Sequence, residues 1–272
     1  MEFKKGDFVT RSSYNSDIIF KIIEIKEDKA ILKSYKYRLM ADAPIDDLIK
    51  YKDISRKKLK KNLLIESFEH LKRHQRNLVL NNDSLKRSNG LNSFREIPGK
   101  VLHLDGDKDY LDISMQNYDT LQIEARGFFI PEREQPESIS RYLEKYKPDI
   151  LIITGHDGNI NGKNNKKSNR TSRYFLESVK KARDFENDLD RLVIFAGACQ
   201  SKYYDLIKEG ANFASSPAGD FIHFLDPVLI AEKIAYTSIK EVVSVKEVIN
   251  YTISKKTVGG VETRGKLRLS YP

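Results

Sequence analysis

From Pro98 onward the chain repeats one unit: a short, nearly continuous apolar run, then a stretch with helical periodicity. The runs are Lys100–Leu104 (KVLHL), Leu121–Phe129, Asp149–Thr154 (DILIIT), Leu192–Ala196 (LVIFA) and Ala211–Ala214 (ANFA). Helical periodicity covers Ser138–Tyr146, Thr171–Phe185, Lys202–Glu209, Pro227–Tyr236 and Val245–Ser254. A strand that is apolar at every position has no face to give to water, so it must be covered on both sides. Such strands, separated by helices, predict an α/β fold: a parallel sheet with helices on both faces. In sheets of that kind the site lies beyond the carboxyl ends of the strands. Asp226-Pro227 reads as a helix start, a carboxylate N-cap followed by proline in the first turn.

The residues before Pro98 follow other rules. Over 1–50, FVTR, DIIFKIIEI, KAILKSYKY and RLMAD are rich in β-branched and aromatic residues, with turn signals between them. This predicts a small β-barrel domain of the SH3 or Tudor type, an adaptor by its usual role. Residues 51–97 predict a charged helical connector with a partial apolar stripe of Leu63, Ile65, Phe68, Leu71, Leu78 and Leu80. Asn81-Asn82-Asp83 and Ser88-Asn89-Gly90 are expected to break it. Residues 98–272 then form the α/β domain.

The net charge of +9 raises nucleic acid as a partner, but its distribution argues otherwise. Residues 51–97 carry a net +7 and Lys163–Arg173 a net +5, which leaves −3 elsewhere. The charge sits in two segments read as solvated linker and loop, and no aromatic residues interleave with the Arg56–Lys61 run for base stacking. One cysteine excludes an internal disulfide framework or a multi-thiolate zinc site. No run is long and apolar enough to span a bilayer, and MEFKKGDFVTR has no apolar core of a secretory signal. No motif calls for a metal or cofactor.

The strand-end rule selects four short segments: Asp105-Gly106-Asp107, Gly155-His156-Asp157-Gly158, Gly197-Ala198-Cys199-Gln200-Ser201 and Ser215-Ser216-Pro217. His156 and Cys199 fall at the ends of successive apolar strands. A free thiol is mostly protonated at neutral pH, so a nucleophilic cysteine needs a base or cation beside it, and His156 is placed to supply one. The Cys199 amide is expected at a helix start, where it stabilises thiolate and oxyanion. Most lone cysteines are inert core residues; the strand-end position opposite a Gly-His-Asp-Gly loop favours the nucleophile. His70 and His74, one helical turn apart on the connector, read as solvent-facing. His103 reads as a satisfied core histidine, and His223 as a residue bordering the site.

An apolar strand ending in histidine and, 43 positions later, one ending in Ala-Cys resembles the caspase–legumain–clostripain clan of cysteine proteases. Two positions depart from that pattern: Asp157 follows the histidine where the clan has glycine, and Gly197 stands where an acidic residue is common. The blocks GDFVTRSSYNSDIIFKI, PGKVLHLDGD, KPDILIITGHD, LVIFAGACQS, GANFASSP, HFLDP and GGVETRG, in order over the whole length, resemble the YabG family of sporulation-specific proteases. That resemblance implies a caspase-like catalytic domain. It also implies a thiol protease of the mother-cell cytoplasm, associating with the spore coat. It would process coat, cortex-associated and germination precursor proteins after Arg or Lys.

On this reading Cys199 is the nucleophile and His156 its base. The oxyanion is held by the Cys199 amide and an amide of Gly155–Gly158, with Gly155, Asp157, Gly158 and Ala198 orienting the site. A basic substrate side chain needs a carboxylate to offset desolvation. Candidates are Asp105, Asp107, Asp220 and Asp226, with Ser215 and His223 lining the pocket. Asp105 and Asp220 lead, because Asp226 caps a helix and Asp157 orients His156. Self-processing is expected near Arg264 or within Arg56–Lys61. Two rivals remain: a haloacid-dehalogenase-like phosphohydrolase using Asp105 and Asp107, and a non-catalytic coat-assembly adaptor.

Overall fold

The computed structural model describes residues 2–51, 56–86, 95–161 and 167–270. The N-terminal segment forms five strands, β1 (Phe8–Arg11), β2 (Phe20–Lys26), β3 (Lys29–Ser34), β4 (Met40–Pro44) and β5 (Leu48–Lys50). They make one antiparallel sheet in the order β4-β3-β2-β1-β5. Alternation buries Phe20 and Ile22 of β2 and Ala30 and Leu32 of β3. The expected strand RLMAD starts two residues late. Arg38 and Leu39 stay outside β4, and residues 35–39 form a hairpin tip that leaves this sheet.

Helix α1 (Arg56–Lys86) runs straight through Asn81-Asn82-Asp83, which the sequence predicts as a break. Asn and Asp cost a helix interior only a few tenths of a kcal/mol each (roughly 0.7 at most), too little to end a long helix. Ser88-Asn89-Gly90 lies outside the described residues. The basic run at the helix start is not simply solvated. Leu59 and Leu63 are buried, and Lys60 bonds Asp109 at 3.3 Å and Asp112 at 2.8 Å.

The remaining strands are β6 (Arg95–Ile97), β7 (Val101–Asp105), β8 (Ala125–Phe129), β9 (Ile150–Thr154), β10 (Asn159–Asn161), β11 (Lys167–Asn169), β12 (Val193–Ala196), β13 (Phe213–Ser215), β14 (Val242–Val243), β15 (Val258–Gly260), β16 (Thr263–Arg264) and β17 (Arg268–Ser270). Six of them form the main sheet, β15-β13-β12-β9-β7-β8, parallel except for β15. Helices α2 (Lys108–Thr120), α3 (Gln135–Tyr146), α4 (Ser172–Phe185), α5 (Tyr203–Lys208), α6 (Asp226–Tyr236) and α7 (Val245–Tyr251) complete the chain. Along β9 the side chains alternate between two cores. Ile150 and Ile152 join Tyr110, Ile113 and Leu229. Leu151 and Ile153 join Ile139, Leu143, Phe175 and Val179. The first core continues into Val9, Ile22 and Leu32, so the N-terminal sheet packs against this face. No described helix is long and apolar enough to cross a membrane.

Two readings need correction. Helix α2 was not expected, although Asp107 starts it. That carboxylate accepts from the Asp109 and Tyr110 amides, at 2.9 and 3.2 Å. Asp226 does not cap α6, which it begins as the first residue after Leu225. Its buried carboxylate reaches instead to the Ile253 amide at 2.7 Å and to that of Ser254, closing the turn after α7. Asp226→Ala would orphan both amides and is expected to cost about 2 kcal/mol. An unchanged denaturation midpoint would show that these bonds hold nothing.

Candidate active site

Strands β9 and β12 are parallel neighbours, with Ile153 opposite Ala196, so the segments after them emerge side by side. His156 lies two residues past β9 and Cys199 three past β12. Gly197 turns the chain at φ +117°, and a Cβ there would sit 2.7 Å from the Ser215 hydroxyl. Both side chains are fully buried.

Neither group is activated at rest. The Cys199 sulfur accepts the Ile222 amide at 3.2 Å. Burial raises its pKa well above the ordinary thiol value, and the Ile222 bond and the Arg38 charge lower it too little to offset this. The expected helix start is absent from this position, since α5 begins only at Tyr203, so no helix dipole favours the thiolate. Burial likewise holds His156 neutral, and the charges of Lys33 and Arg38 act in the same direction. Its ring stacks on Tyr110 at 5.1 Å, and neither ring nitrogen has a hydrogen-bond partner within normal geometry among the described residues.

The carboxylate facing the imidazole is Asp107, 3.9 Å from Nδ1, not Asp157 as predicted. Asp157 is committed elsewhere. It accepts from the Gly158 and Thr171 amides at 2.8 and 2.9 Å, from Ser201 Oγ at 3.2 Å, and from Ser172 Oγ. The His156 amide is held by Glu132 at 2.8 Å.

The centre of this region is filled by the hairpin tip. Arg38 is fully buried, and its guanidinium lies 2.9 Å from the Asp105 carboxylate. It also donates to the Phe224 carbonyl at 3.0 Å and the Gly155 carbonyl at 3.4 Å. Burial opposes ionisation of both groups, but their mutual attraction prevails. Asp105 is held well below the carboxylate range and Arg38 raised further. The Arg38 carbonyl accepts two amides, those of Cys199 and Asp157, each at 3.1 Å.

Each of those amides belongs to a peptide plane fixed from its other side. Ser215 Oγ donates to the Ala198 carbonyl at 2.9 Å, and Thr171 Oγ1 to the His156 carbonyl at 2.6 Å. Ser215 therefore orients a backbone donor instead of lining a pocket. His223 borders the tip through a bridge to Tyr37, with Nε2 3.7 Å from Glu66. That carboxylate is lowered to about 2, first through the His223 bond and, against some burial, by Lys36. His70, read as solvent-facing, is half-buried 4.0 Å from Glu66; the side chain of His74 lies outside the described residues. His103 is satisfied in the core by Thr154 at 2.9 Å and Tyr118 at 3.2 Å, as expected.

Asp220 is exposed and makes no ion pair with Arg38, so Asp105 alone of the four candidates holds a cation here. Sequence reasoning missed Arg38, Tyr110, Glu132 and Thr171. Glu132, three residues past β8, obeys the strand-end rule and could have been found by applying it to Leu121–Phe129; no local signal marks Arg38, Tyr110 or Thr171.

The family described as YabG peptidase U57 matches residues 4–272. The sporulation-specific protease YabG of Bacillus subtilis (strain 168) is 41% identical over 289 residues, covering 100% of this chain and 99% of that protein. The chain belongs to the YabG peptidase family. It is therefore a peptidase. No solved structure matches it.

The buried, protonated thiol makes a prediction opposite to that for an exposed catalytic cysteine. Alkylation of folded protein by iodoacetamide should be slow at pH 7 and rise only above the usual thiol pKa of about 8.5. Rapid alkylation at pH 6–7, followed by intact mass, would contradict the resting geometry.

Proposed function

We propose that the chain is a cysteine endopeptidase of sporulation that cleaves after Arg and, more weakly, Lys. The observation that carries this reading is the binding of Arg38. A carbonyl oxygen is held by two backbone amides, and the side chain of the same residue is held by a buried carboxylate. Those are the two things a protease of this specificity must do to a substrate residue.

In the mechanism, the substrate arginine takes the place of Arg38 with its guanidinium on Asp105. Its carbonyl lies between the Cys199 and Asp157 amides, where negative charge develops. His156 takes the thiol proton, Cys199 attacks, and His156 then protonates the leaving amine. Asp107 sits where a short movement would let it support the imidazolium, and Glu132 fixes the backbone of His156. Water hydrolyses the thioester. Lysine reaches Asp105 as a point charge and forfeits the carbonyl contacts of the guanidinium fork. The resemblance of the His and Cys blocks to the caspase–clostripain clan supports a caspase-like catalytic domain, and the five-stranded antiparallel sheet before it is compatible with a small barrel. Similarity to the sporulation-specific relative supports a role in sporulation; action in the mother cell on spore-coat, cortex-associated and germination precursor proteins belongs to the same proposal.

Cys199→Ala and His156→Ala should each lower kcat/KM on an arginyl peptide by at least about 10³-fold. Undiminished cleavage by both would sink this mechanism. Thr171→Val and Ser215→Ala release the two oxyanion amides indirectly. Each should lower kcat about tenfold, less than the roughly 10²–10³ for loss of a whole donor, with KM little changed. A change confined to KM would instead place these hydroxyls in substrate binding.

A further inference from the structure

The hairpin tip between β3 and β4 does more than fill space. Five main-chain bonds hold it. The Phe224 amide donates to the Lys36 carbonyl at 3.2 Å, and the Arg38 amide donates to the Ile222 carbonyl at 3.2 Å. The Arg38 carbonyl takes the Cys199 and Asp157 amides, and the Met40 amide donates to the Asp157 carbonyl at 2.7 Å. Main-chain bonds spread along an extended segment, with one side chain in a pocket, are how proteins bind peptides by strand addition. Tyr110 underlies the tip, its hydroxyl 3.1 Å from the carbonyls of Ser34 and Tyr37 and its ring 5.2 Å from the Arg38 guanidinium.

We infer that Lys36–Met40 is a built-in competitive inhibitor. It occupies the arginine pocket and the oxyanion amides that a substrate needs, and keeps the peptidase latent until the hairpin withdraws. This rests on the cysteine-peptidase reading above.

Three features explain why the tip is held and not cut. It is closed on itself, the Ser34 amide donating to the Leu39 carbonyl at 2.9 Å, and Lys33 pairs with Met40 across the β3–β4 ladder. Both sides of the Arg38–Leu39 bond would therefore stay in place after any attack. The thiol is engaged with Ile222, and neither imidazole nitrogen makes a hydrogen bond of normal geometry among the described residues. The tip itself excludes the water that would let thiol and imidazole ionise, so withdrawal opens the pocket and activates the nucleophile together. The two expected self-processing positions are not in the site. Arg264 is an exposed residue of β16, and the 56–61 run is helical. A bound tip taxes every competitor, because apparent affinity falls by the fraction of molecules that are open.

The test uses the full chain and two covalent probes that share an arginyl group but differ in reactivity, a chloromethyl ketone and an acyloxymethyl ketone. Labelling of Cys199 is followed by intact mass at rising probe concentration. Opening as the first step predicts that both probes plateau at the same rate, which is the opening rate. Arg38→Ala should label at least about tenfold faster, while Arg38→Lys, which keeps the cation, stays slow. Plateaus that differ with probe reactivity, or equal rates for the wild type and Arg38→Ala, would overturn the inhibitor. Should Arg38→Ala not fold, the comparison of plateaus in the wild type decides alone. If the probes label no folded form and Cys199 reacts only after unfolding, the cysteine-peptidase reading itself fails.

Discussion

The ion pair between Arg38 and Asp105 organises this molecule. It joins the N-terminal sheet to the end of β7, and both charges are fully removed from water. Burying an unpaired carboxylate or guanidinium costs several kcal/mol, so neither group can tolerate the loss of the other. The pair is surrounded accordingly. His103 lies 3.4 Å from the same carboxylate oxygen and is fixed by Thr154 and Tyr118. The Gly155 and Phe224 carbonyls accept from the two terminal nitrogens of the guanidinium.

This constraint connects stability and chemistry. The interactions that would bind a substrate arginine are satisfied internally, so the resting protein carries no open, uncompensated Asp105. The same occupancy dries the site, raising the thiol and lowering the imidazole. On the proposed reading, binding groups and reactive groups are thus silenced by one element. The rigid parts are the peptide planes around Cys199 and Asp157, held by Ser215 and Thr171. The mobile part, on this reading, is a five-residue tip.

Much of the candidate site is legible in the sequence, because continuous apolar runs can only be covered strands. DILIIT and LVIFA become β9 and β12, parallel neighbours, so the segments that carry His156 and Cys199 leave adjacent strands. The amide after His156 was among the expected oxyanion donors, and Asp105 was among the expected pocket acids. What was not legible depends on distant packing. Arg38 looks like the first residue of a strand, since nothing near it shows that its partner is a carboxylate on β7. Asp107 reads as chemistry when isolated, and as a helix cap once α2 is seen. The expected activation of Cys199 by a helix start failed because Gln200, at φ +59°, continues the turn and delays α5. Neither carboxylate is placed for a phosphohydrolase nucleophile. Asp105 is bound to Arg38, and Asp107 is engaged with amides of α2.

The most direct measurement is a double-mutant cycle on Arg38 and Asp105, read by chemical denaturation of Arg38→Ala, Asp105→Ala and the double variant. Each single substitution strands a buried charge and should cost about 3–5 kcal/mol. The double variant, with nothing left unpaired, should lose far less than the sum, a coupling of about 2 kcal/mol or more. Additive losses would mean that the two side chains do not meet, and the account of the tip as an internal occupant of the arginine pocket would be wrong.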